Sequence, residues 1–183
     1  MRIRVLLVDD HQIMMEGVAA LLAHEKDIQV VGKTRSGVEA LQVMQPLHPD
    51  VLILDIQMPE MDGFAVAQMV HQKYPKTHVI ILSKYNTVAY AAEALRKGAQ
   101  AYVFKDSDPE YLLQAIRHVV NDQIFLNPPL TLEGVETFRR KTRTGQLEPA
   151  DTLTPTERIV FSMIINGLSS SEIAEKLINS VRT

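Results

Sequence analysis

Five polar side chains stand where short apolar runs of this chain end, and their types suit phosphoryl-transfer chemistry. They are Asp9, Asp10, Asp55, Ser83 and Lys105. Each run is typical of a strand in a parallel sheet that is buried on both faces. Ligands of open α/β sheets bind at the carboxyl ends of the strands, so we expect all five side chains to share one crevice. Any one of them alone would equally fit a helix cap or a solvated charge, but five at strand ends together indicate a site.

Three carboxylates in one crevice repel one another unless a cation lies among them. A hard divalent ion such as Mg²⁺ meets this need, because it binds one or two carboxylates together with waters. We therefore predict Mg²⁺ as the cofactor. Its predicted ligands are Asp10, Asp9 (partly through water), Asp55 and the backbone carbonyl of Gln57.

The remaining groups fit a transferred phosphoryl group. Asp55 is the predicted nucleophile, whose in-line attack forms an acyl phosphate. Ser83 then donates a hydrogen bond to a phosphoryl oxygen. Lys105 supplies a point charge to the phosphoryl group or to Asp55, and the metal ion neutralises the charge in transfer.

The first 121 residues alternate apolar runs with amphipathic stretches, which predicts repeated β/α units. The apolar runs cover residues 5–8, 28–31, 51–54, 78–82 and 101–104. Short, β-branched, uninterrupted runs favour buried parallel strands. The expected fold class is α/β, a doubly wound five-stranded parallel sheet with helices on both faces.

Capping signals place the helices between these strands. Ser36 begins a capping box that opens one helix. Asn86 is the predicted cap of a second helix, which ends near Gly98. Asp108 precedes a proline at the first position of a third helix.

The composition changes after residue 121. Residues 122–150 contain adjacent prolines, a glycine and a basic run at residues 139–143, and we predict a linker that is partly helical around residues 132–141. The basic run is more typical of a solvated face than of a nucleic-acid contact. Residues 151–183 carry two capping boxes separated by a glycine-containing turn, which predicts a small all-α helix-turn-helix unit.

The bulk composition excludes several classes of protein. Hydrophobic residues make up 46% of the 183 residues, the formal net charge is −3, and there is no cysteine. Such a chain forms a packed core, is not built wholly for nucleic acid, and has no disulfide or thiolate metal site. Because we find no signal peptide and no apolar run near the roughly 20 residues of a membrane span, we expect a cytoplasmic protein without membrane contact.

The site residues and their surroundings resemble the receiver domain of two-component response regulators, a flavodoxin-like fold. The matching positions are Asp9 and Asp10, Asp55 with Met58, Pro59 and Gly63 behind it, Ser83, and Lys105 with Asp106. The resemblance implies a receiver over residues 1–121 that takes its phosphoryl group from a sensor histidine kinase. It also implies a phosphoacceptor that assists its own phosphorylation and slow dephosphorylation and is otherwise not an enzyme. Ser83 and Tyr102 are then the switch residues, with Tyr102 swinging inward.

The carboxyl-terminal unit is similar to the helix-turn-helix domain of NarL/LuxR-type regulators. The similarity lies in residues 153–158, 167–169 and 172–174. It implies a transcription regulator that dimerises on phosphorylation and binds promoter DNA. In the family, residues 177–183 lead into the recognition helix, so the output unit is its amino-terminal part and the DNA-binding residues remain unknown. We expect promoter binding only from a complete output domain, and weak, non-specific DNA binding from this chain.

One residue departs from the family pattern, and three alternative functions remain. Lys84 stands where the family usually has a small residue, which affects the expected lifetime of the phosphoryl group. The output could bind protein rather than DNA. A Mg²⁺-dependent aspartyl phosphohydrolase of the haloacid dehalogenase type is less favoured. Such an enzyme has its nucleophile on the first strand and a second Asp two residues later, whereas here Asp9 and Asp10 are adjacent and residue 11 is His11. A dinucleotide-binding protein is disfavoured because no glycine-rich fingerprint follows the first strand.

Overall fold

The computed structural model describes residues 2–146, 153, 155–165, 168–170 and 173. The strands in this part of the chain are β1 (Ile3–Val8), β2 (Ile28–Thr34), β3 (Val51–Asp55), β4 (His78–Ser83), β5 (Ala101–Phe104) and β6 (Phe125–Leu126). The helices are α1 (Gln12–Ala23), α2 (Gly37–Leu47), α3 (Gly63–Lys73), α4 (Val88–Arg96), α5 (Pro109–Val119), α6 (Leu132–Arg143) and α7 (Pro155–Ile165).

The strands form one parallel sheet in the order β2-β1-β3-β4-β5-β6. The predicted doubly wound α/β fold is confirmed. The chain winds outward from β1 in both directions, so the strand order reverses between β1 and β3. This reversal opens a crevice at the carboxyl ends of these strands, where open α/β sheets bind their ligands.

Two hydrophobic cores lie on opposite faces of the sheet, because successive side chains of a strand point to opposite faces. Val5, Leu7 and Ile53 pack with α1 and α5 on one face. Leu6 and Leu52 pack with α2, α3, α4 and α6 on the other. The uninterrupted apolar runs of the strands are therefore explained by burial on both sides.

The predicted caps hold in two cases and move in a third. Ser36 accepts a hydrogen bond from the Glu39 backbone N–H at 3.2 Å, and Asp108 accepts one from Glu110 at 2.9 Å. For α4 the cap is Thr87 rather than Asn86, because the Thr87 backbone is extended and its hydroxyl accepts from the helix.

The sheet has one strand more than the sequence predicts. Beyond residue 121, the two-residue strand β6 pairs with β5 at the edge of the sheet. Asn127 follows it, is almost fully buried, and donates its backbone N–H to the Tyr102 carbonyl at 2.9 Å. Short apolar pairs such as Phe125–Leu126 give too weak a period-two signal to be predicted as strands.

The predicted helix in the linker exists as α6 and packs against α4. Val135 is 1% exposed and belongs to the core on that face of the sheet. Arg139, predicted as a solvated cation, is exposed but donates through Nη2 to the Ala92 carbonyl of α4 at 3.2 Å. The boundaries proposed for receiver, linker and output unit stay predictions.

Only part of the predicted output unit lies within the described residues. Helix α7 corresponds to its first predicted helix. In the second, Ile173 is buried and its N–H bonds to the Ser169 carbonyl at 3.0 Å, while Thr154 and residues 174–183 lie outside the described residues. No helix in the described part of the chain has the length and apolar character needed to cross a membrane.

Gly63 allows the loop after β3 to fold back on the strand. Its N–H donates to the Ile56 carbonyl at 2.8 Å, and a Cβ at this position would lie 2.0 Å from the Asp55 carbonyl oxygen. Backbone atoms cannot yield to that clash as a flexible side chain can. The absence of a side chain at Gly63 therefore permits the close backbone contact that holds the end of β3 in place.

We predict that Gly63→Ala lowers the free energy of unfolding by roughly 2–3 kcal/mol, because overpacking forces the backbone apart. The matched control is Gly17→Ala at an exposed position of α1, where a Cβ meets nothing within 4 Å. That change should stabilise by roughly 0.5–1 kcal/mol. Urea denaturation of both variants measures this, and equal effects would show that the close approach carries no cost.

Candidate functional site: an acidic crevice at the strand ends

The register of the sheet brings the predicted residues to one edge. Val8 is paired with Leu54, Asp55 with Leu82, and Ser83 with Phe104. Asp9 and Asp10 directly follow β1, and Lys105 directly follows β5. The structure thus gathers the predicted carboxylates, hydroxyl and ammonium around one crevice.

Lys105 joins the two buried carboxylates of this crevice. Its Nζ lies 2.8 Å from Asp9 Oδ2 and 2.9 Å from Asp55 Oδ2. The two aspartates are each 5% exposed. The Asp55 Oδ1 atom accepts a further hydrogen bond from the Ile56 backbone N–H at 2.7 Å. One ammonium therefore joins the ends of β1 and β3 through two buried ion pairs.

Burial and charge act in opposite directions on these groups. Burial raises the pKa of the Asp55 carboxyl, and the nearby Lys105 ammonium offsets only part of that increase. For Lys105 burial alone would lower the pKa, but the hydrogen bonds to Asp9 and Asp55 outweigh it, so the pKa is raised. The lysine stays charged, whereas the Asp55 carboxylate is held in a setting that disfavours its charge.

The crevice contains a group of metal-ligating atoms. Asp9, Asp10, His11 and Asp55 each offer one ligand atom, and these atoms lie within 4.8 Å of one another. Arg35 Nη2 fixes the Asp10 peptide by donating to its carbonyl at 3.3 Å. His11 is a site residue that the sequence analysis missed, although its position after two aspartates was a usable signal.

The donor set fits a divalent cation. Three carboxylates share the crevice with one lysine ammonium, which leaves two negative charges. One divalent cation would neutralise them. The Asp10 Oδ1 atom is buried and accepts no hydrogen bond from the described residues. Buried carboxylate oxygens in this state are costly unless a cation contacts them. Oxygen-rich sites of this kind are what Mg²⁺ requires.

An open cavity of about 310 Å³ leads to Asp55. Its wall includes Gln57, Ser83, Lys84 and Tyr85. Gln57 donates through Nε2 to the Tyr85 hydroxyl at 2.7 Å, and Lys84 Nζ lies 5.4 Å from the centre of the Tyr85 ring. The backbone carbonyl of Gln57 as a metal ligand stays a prediction.

Tyr85 connects the cavity to the rest of the fold. Its N–H donates to Ser83 Oγ at 3.1 Å, and its carbonyl accepts from the Tyr102 hydroxyl at 2.7 Å. Its ring stacks on Tyr90 of α4, with centroids 4.2 Å apart. The β4–α4 loop therefore contacts β4, β5 and α4 through one residue, which the sequence analysis missed.

Tyr102 lies inside the protein. It is fully buried, and this burial raises the pKa of its hydroxyl far above the usual range. Taken without its tertiary context, an aromatic on an edge strand indicates a surface position. Here β6 and α6 cover that edge, so the side chain faces the core. Asn127 Oδ1 accepts from the Phe104 N–H at 3.4 Å and holds the cover in place.

Comparison with known proteins gives a consistent result. The family model of the response regulator receiver domain matches residues 5–117. The uncharacterized transcriptional regulatory protein YhcZ of Bacillus subtilis is 34% identical over 180 residues, covering 98% of this chain and 83% of YhcZ. The oxygen regulatory protein NreC of Staphylococcus epidermidis is 31% identical over 185 residues, covering 98% and 85%. A LuxR-family two-component response regulator from Aurantimonas sp. SI85-9A1 superposes with a TM-score of 0.68, at 26% identity, over 79% of this chain and 99% of that one.

The fold, the acidic crevice and these matches define a response regulator receiver domain. The chain belongs to this family and, with its relatives, to the NarL/LuxR-type regulators of two-component signalling. The resemblance drawn from the sequence is confirmed. Membership of this family makes the phosphohydrolase and the dinucleotide-binding protein the poorer interpretations.

Proposed function

We propose that Asp55 is the phosphoacceptor of this response regulator. The observation that carries the proposal is the double ion pair of Lys105, which holds one oxygen of Asp55 beside an ammonium in the wall of an open cavity. A carboxylate oxygen attacks the phosphorus of a phosphorylated histidine. The P–N bond breaks as the new P–O bond forms, and the imidazole leaves with the electron pair.

The neighbouring groups take separate roles in this transfer. Lys105, already 2.9 Å from Asp55, neutralises charge on the incoming phosphoryl oxygens. The Ser83 hydroxyl donates to one of these oxygens. Asp10 and Asp55 would hold Mg²⁺, with Asp9 contributing partly through water, and the Gln57 carbonyl would complete the protein ligands. When bound, the ion supplies positive charge that offsets the charge of the phosphoryl group.

The wider role follows from the family and its relatives. Membership of the receiver family implies a sensor histidine kinase as the partner that donates the phosphoryl group. Because YhcZ and NreC are both regulatory proteins, transcriptional control is favoured over a protein-binding output. We expect a homodimer on phosphorylation, promoter DNA as the target of a complete output domain, action in the cytoplasm, and no enzymatic turnover beyond the protein's own phosphorylation and dephosphorylation.

Tyr85 connects the proposed phosphorylation site to the elements that respond to it. Phosphorylation draws the Ser83 hydroxyl toward the phosphoryl oxygen, and Ser83 is bonded to the Tyr85 N–H. The Tyr85 carbonyl accepts a hydrogen bond from the Tyr102 hydroxyl, and the Tyr85 ring stacks on Tyr90 of α4, against which α6 packs. A local charge change thereby shifts the β4–α4 loop, β5 and the helix that leads to the output unit.

We predict that Asp55→Asn abolishes phosphoryl addition from acetyl phosphate and Mg²⁺, since the amide is not a nucleophile of comparable strength. Intact-mass spectrometry follows the mass increase of one phosphoryl group. The matched control, Asp106→Asn, changes an exposed aspartate beside Lys105 and should leave the addition unaltered. Undiminished phosphorylation of Asp55→Asn would exclude the assignment.

Asp10→Asn should lose Mg²⁺ affinity and phosphorylation together.

We predict that Tyr102→Phe is phosphorylated normally but dimerises more weakly by roughly fivefold, the loss of about one hydrogen bond. The reason is the missing bond to the Tyr85 carbonyl. Light scattering of the phosphorylated proteins measures the dimer. Tyr111→Phe on α5 is the control with an intact Tyr85 contact, and unchanged dimerisation of Tyr102→Phe would refute the coupling.

A further inference from the structure

His11 occupies a helix cap without acting as one. It is the N-cap residue of α1, but its side chain makes no capping hydrogen bond. Ser, Thr, Asp and Asn are the preferred residues there, because their oxygens accept from the first turn. The imidazole instead turns back toward the acidic crevice. Its ring lies at the crevice mouth with 69% of the side chain exposed, so it is open to solutes.

The ring nitrogen is placed among the carboxylates. His11 Nδ1 forms a hydrogen bond with Asp9 Oδ1 at 3.3 Å and lies 2.9 Å from Asp10 Oδ1. The closer of these contacts lacks hydrogen-bond alignment, since Asp10 Oδ1 accepts no hydrogen bond among the described residues. The His11 ring and the Asp10 carboxylate are therefore close to each other without a hydrogen bond between them.

These separations match two ligands of one ion. Ligand atoms about 2.1 Å from an ion and at right angles to one another lie about 3.0 Å apart, and tetrahedral ligands lie about 3.4 Å apart. The two distances from His11 Nδ1 span this range. Nitrogen and oxygen therefore need little movement to bind a common cation.

The chemistry of a nitrogen ligand differs from that of the oxygens. Mg²⁺ prefers oxygen and keeps its waters, so an imidazole adds little to its affinity. Imidazole nitrogen suits Zn²⁺, Co²⁺ and Ni²⁺, which bind mixed nitrogen and oxygen sites more tightly than harder ions do. A site with three carboxylates and one accessible imidazole has the donor set of a transition-metal site.

We propose that His11 is a nitrogen ligand that makes the acidic crevice selective for divalent transition ions over Mg²⁺. His11 would bind the ion through the Nδ1 lone pair, with the ring proton on Nε2. This inference rests on the proposed metal site at Asp10 and Asp55. Transition ions then compete with Mg²⁺ for the phosphoacceptor crevice.

Calorimetric titration of the full chain with Co²⁺ alone and with Mg²⁺ alone tests the proposal. For the wild-type chain we expect Co²⁺ to bind at least roughly tenfold more tightly than Mg²⁺. His11→Asn and His11→Ala should each weaken Co²⁺ by roughly tenfold, with a change of less than roughly threefold for Mg²⁺. The visible absorption of bound Co²⁺ should shift when the nitrogen is removed.

His24→Asn is the matched control, at the other end of α1 with its Nδ1 bonded to the Ala20 carbonyl at 2.7 Å. It should bind both ions as the wild type does. Equal Co²⁺ affinity and spectrum in the wild type and both His11 variants would overturn the inference while leaving the Mg²⁺ site intact. If the wild type fails to bind Mg²⁺, or Asp10→Asn binds both ions normally, the proposed metal site itself is wrong.

Discussion

The ion pairs of Lys105 with Asp9 and Asp55 are the interaction on which the rest of the site depends. They hold the ends of β1, β3 and β5 at one edge of the sheet, at distances of 2.8 Å and 2.9 Å. Removing one partner of a buried pair leaves an uncompensated charge, which costs more than the pair itself contributes. The lysine balances only part of the acidic charge, so the crevice keeps negative charge that a cation would offset.

The contacts of Tyr85 connect the acidic crevice with α4. Ser83 accepts a hydrogen bond from the backbone N–H of Tyr85, and the backbone carbonyl of the same residue accepts one from the Tyr102 hydroxyl. Since packed cores move between discrete arrangements rather than deforming continuously, the proposed switch would displace α4 as a unit when the Tyr85 backbone shifts. Helix α6 rests on α4 through Val135 and Arg139, so the connection to the output unit is part of the receiver's packing rather than a free tether.

The sequence predicts what depends on local order and misses what depends on tertiary cover. Asp55, Ser83 and Lys105 were predictable because the ends of buried parallel strands necessarily meet. An inward Tyr102 was expected only from the resemblance to receiver domains and not from the residues themselves, because its burial requires β6 and α6, whose apolar residues are too few to give a clear period. The turn of His11 away from its helix was equally hidden, since a histidine after two aspartates is compatible with either direction of the ring.

Denaturation of Lys105→Met most directly tests the claim that one buried ammonium holds the crevice together. The account predicts a loss of roughly 3 kcal/mol in the free energy of unfolding without Mg²⁺, partly recovered when Mg²⁺ is added, because the ion supplies the missing charge. The comparison is Lys33→Met, which removes the exposed pair with Glu16 and should cost less than roughly 1 kcal/mol. Equal losses in the two variants, with no effect of Mg²⁺ on either, would contradict the account.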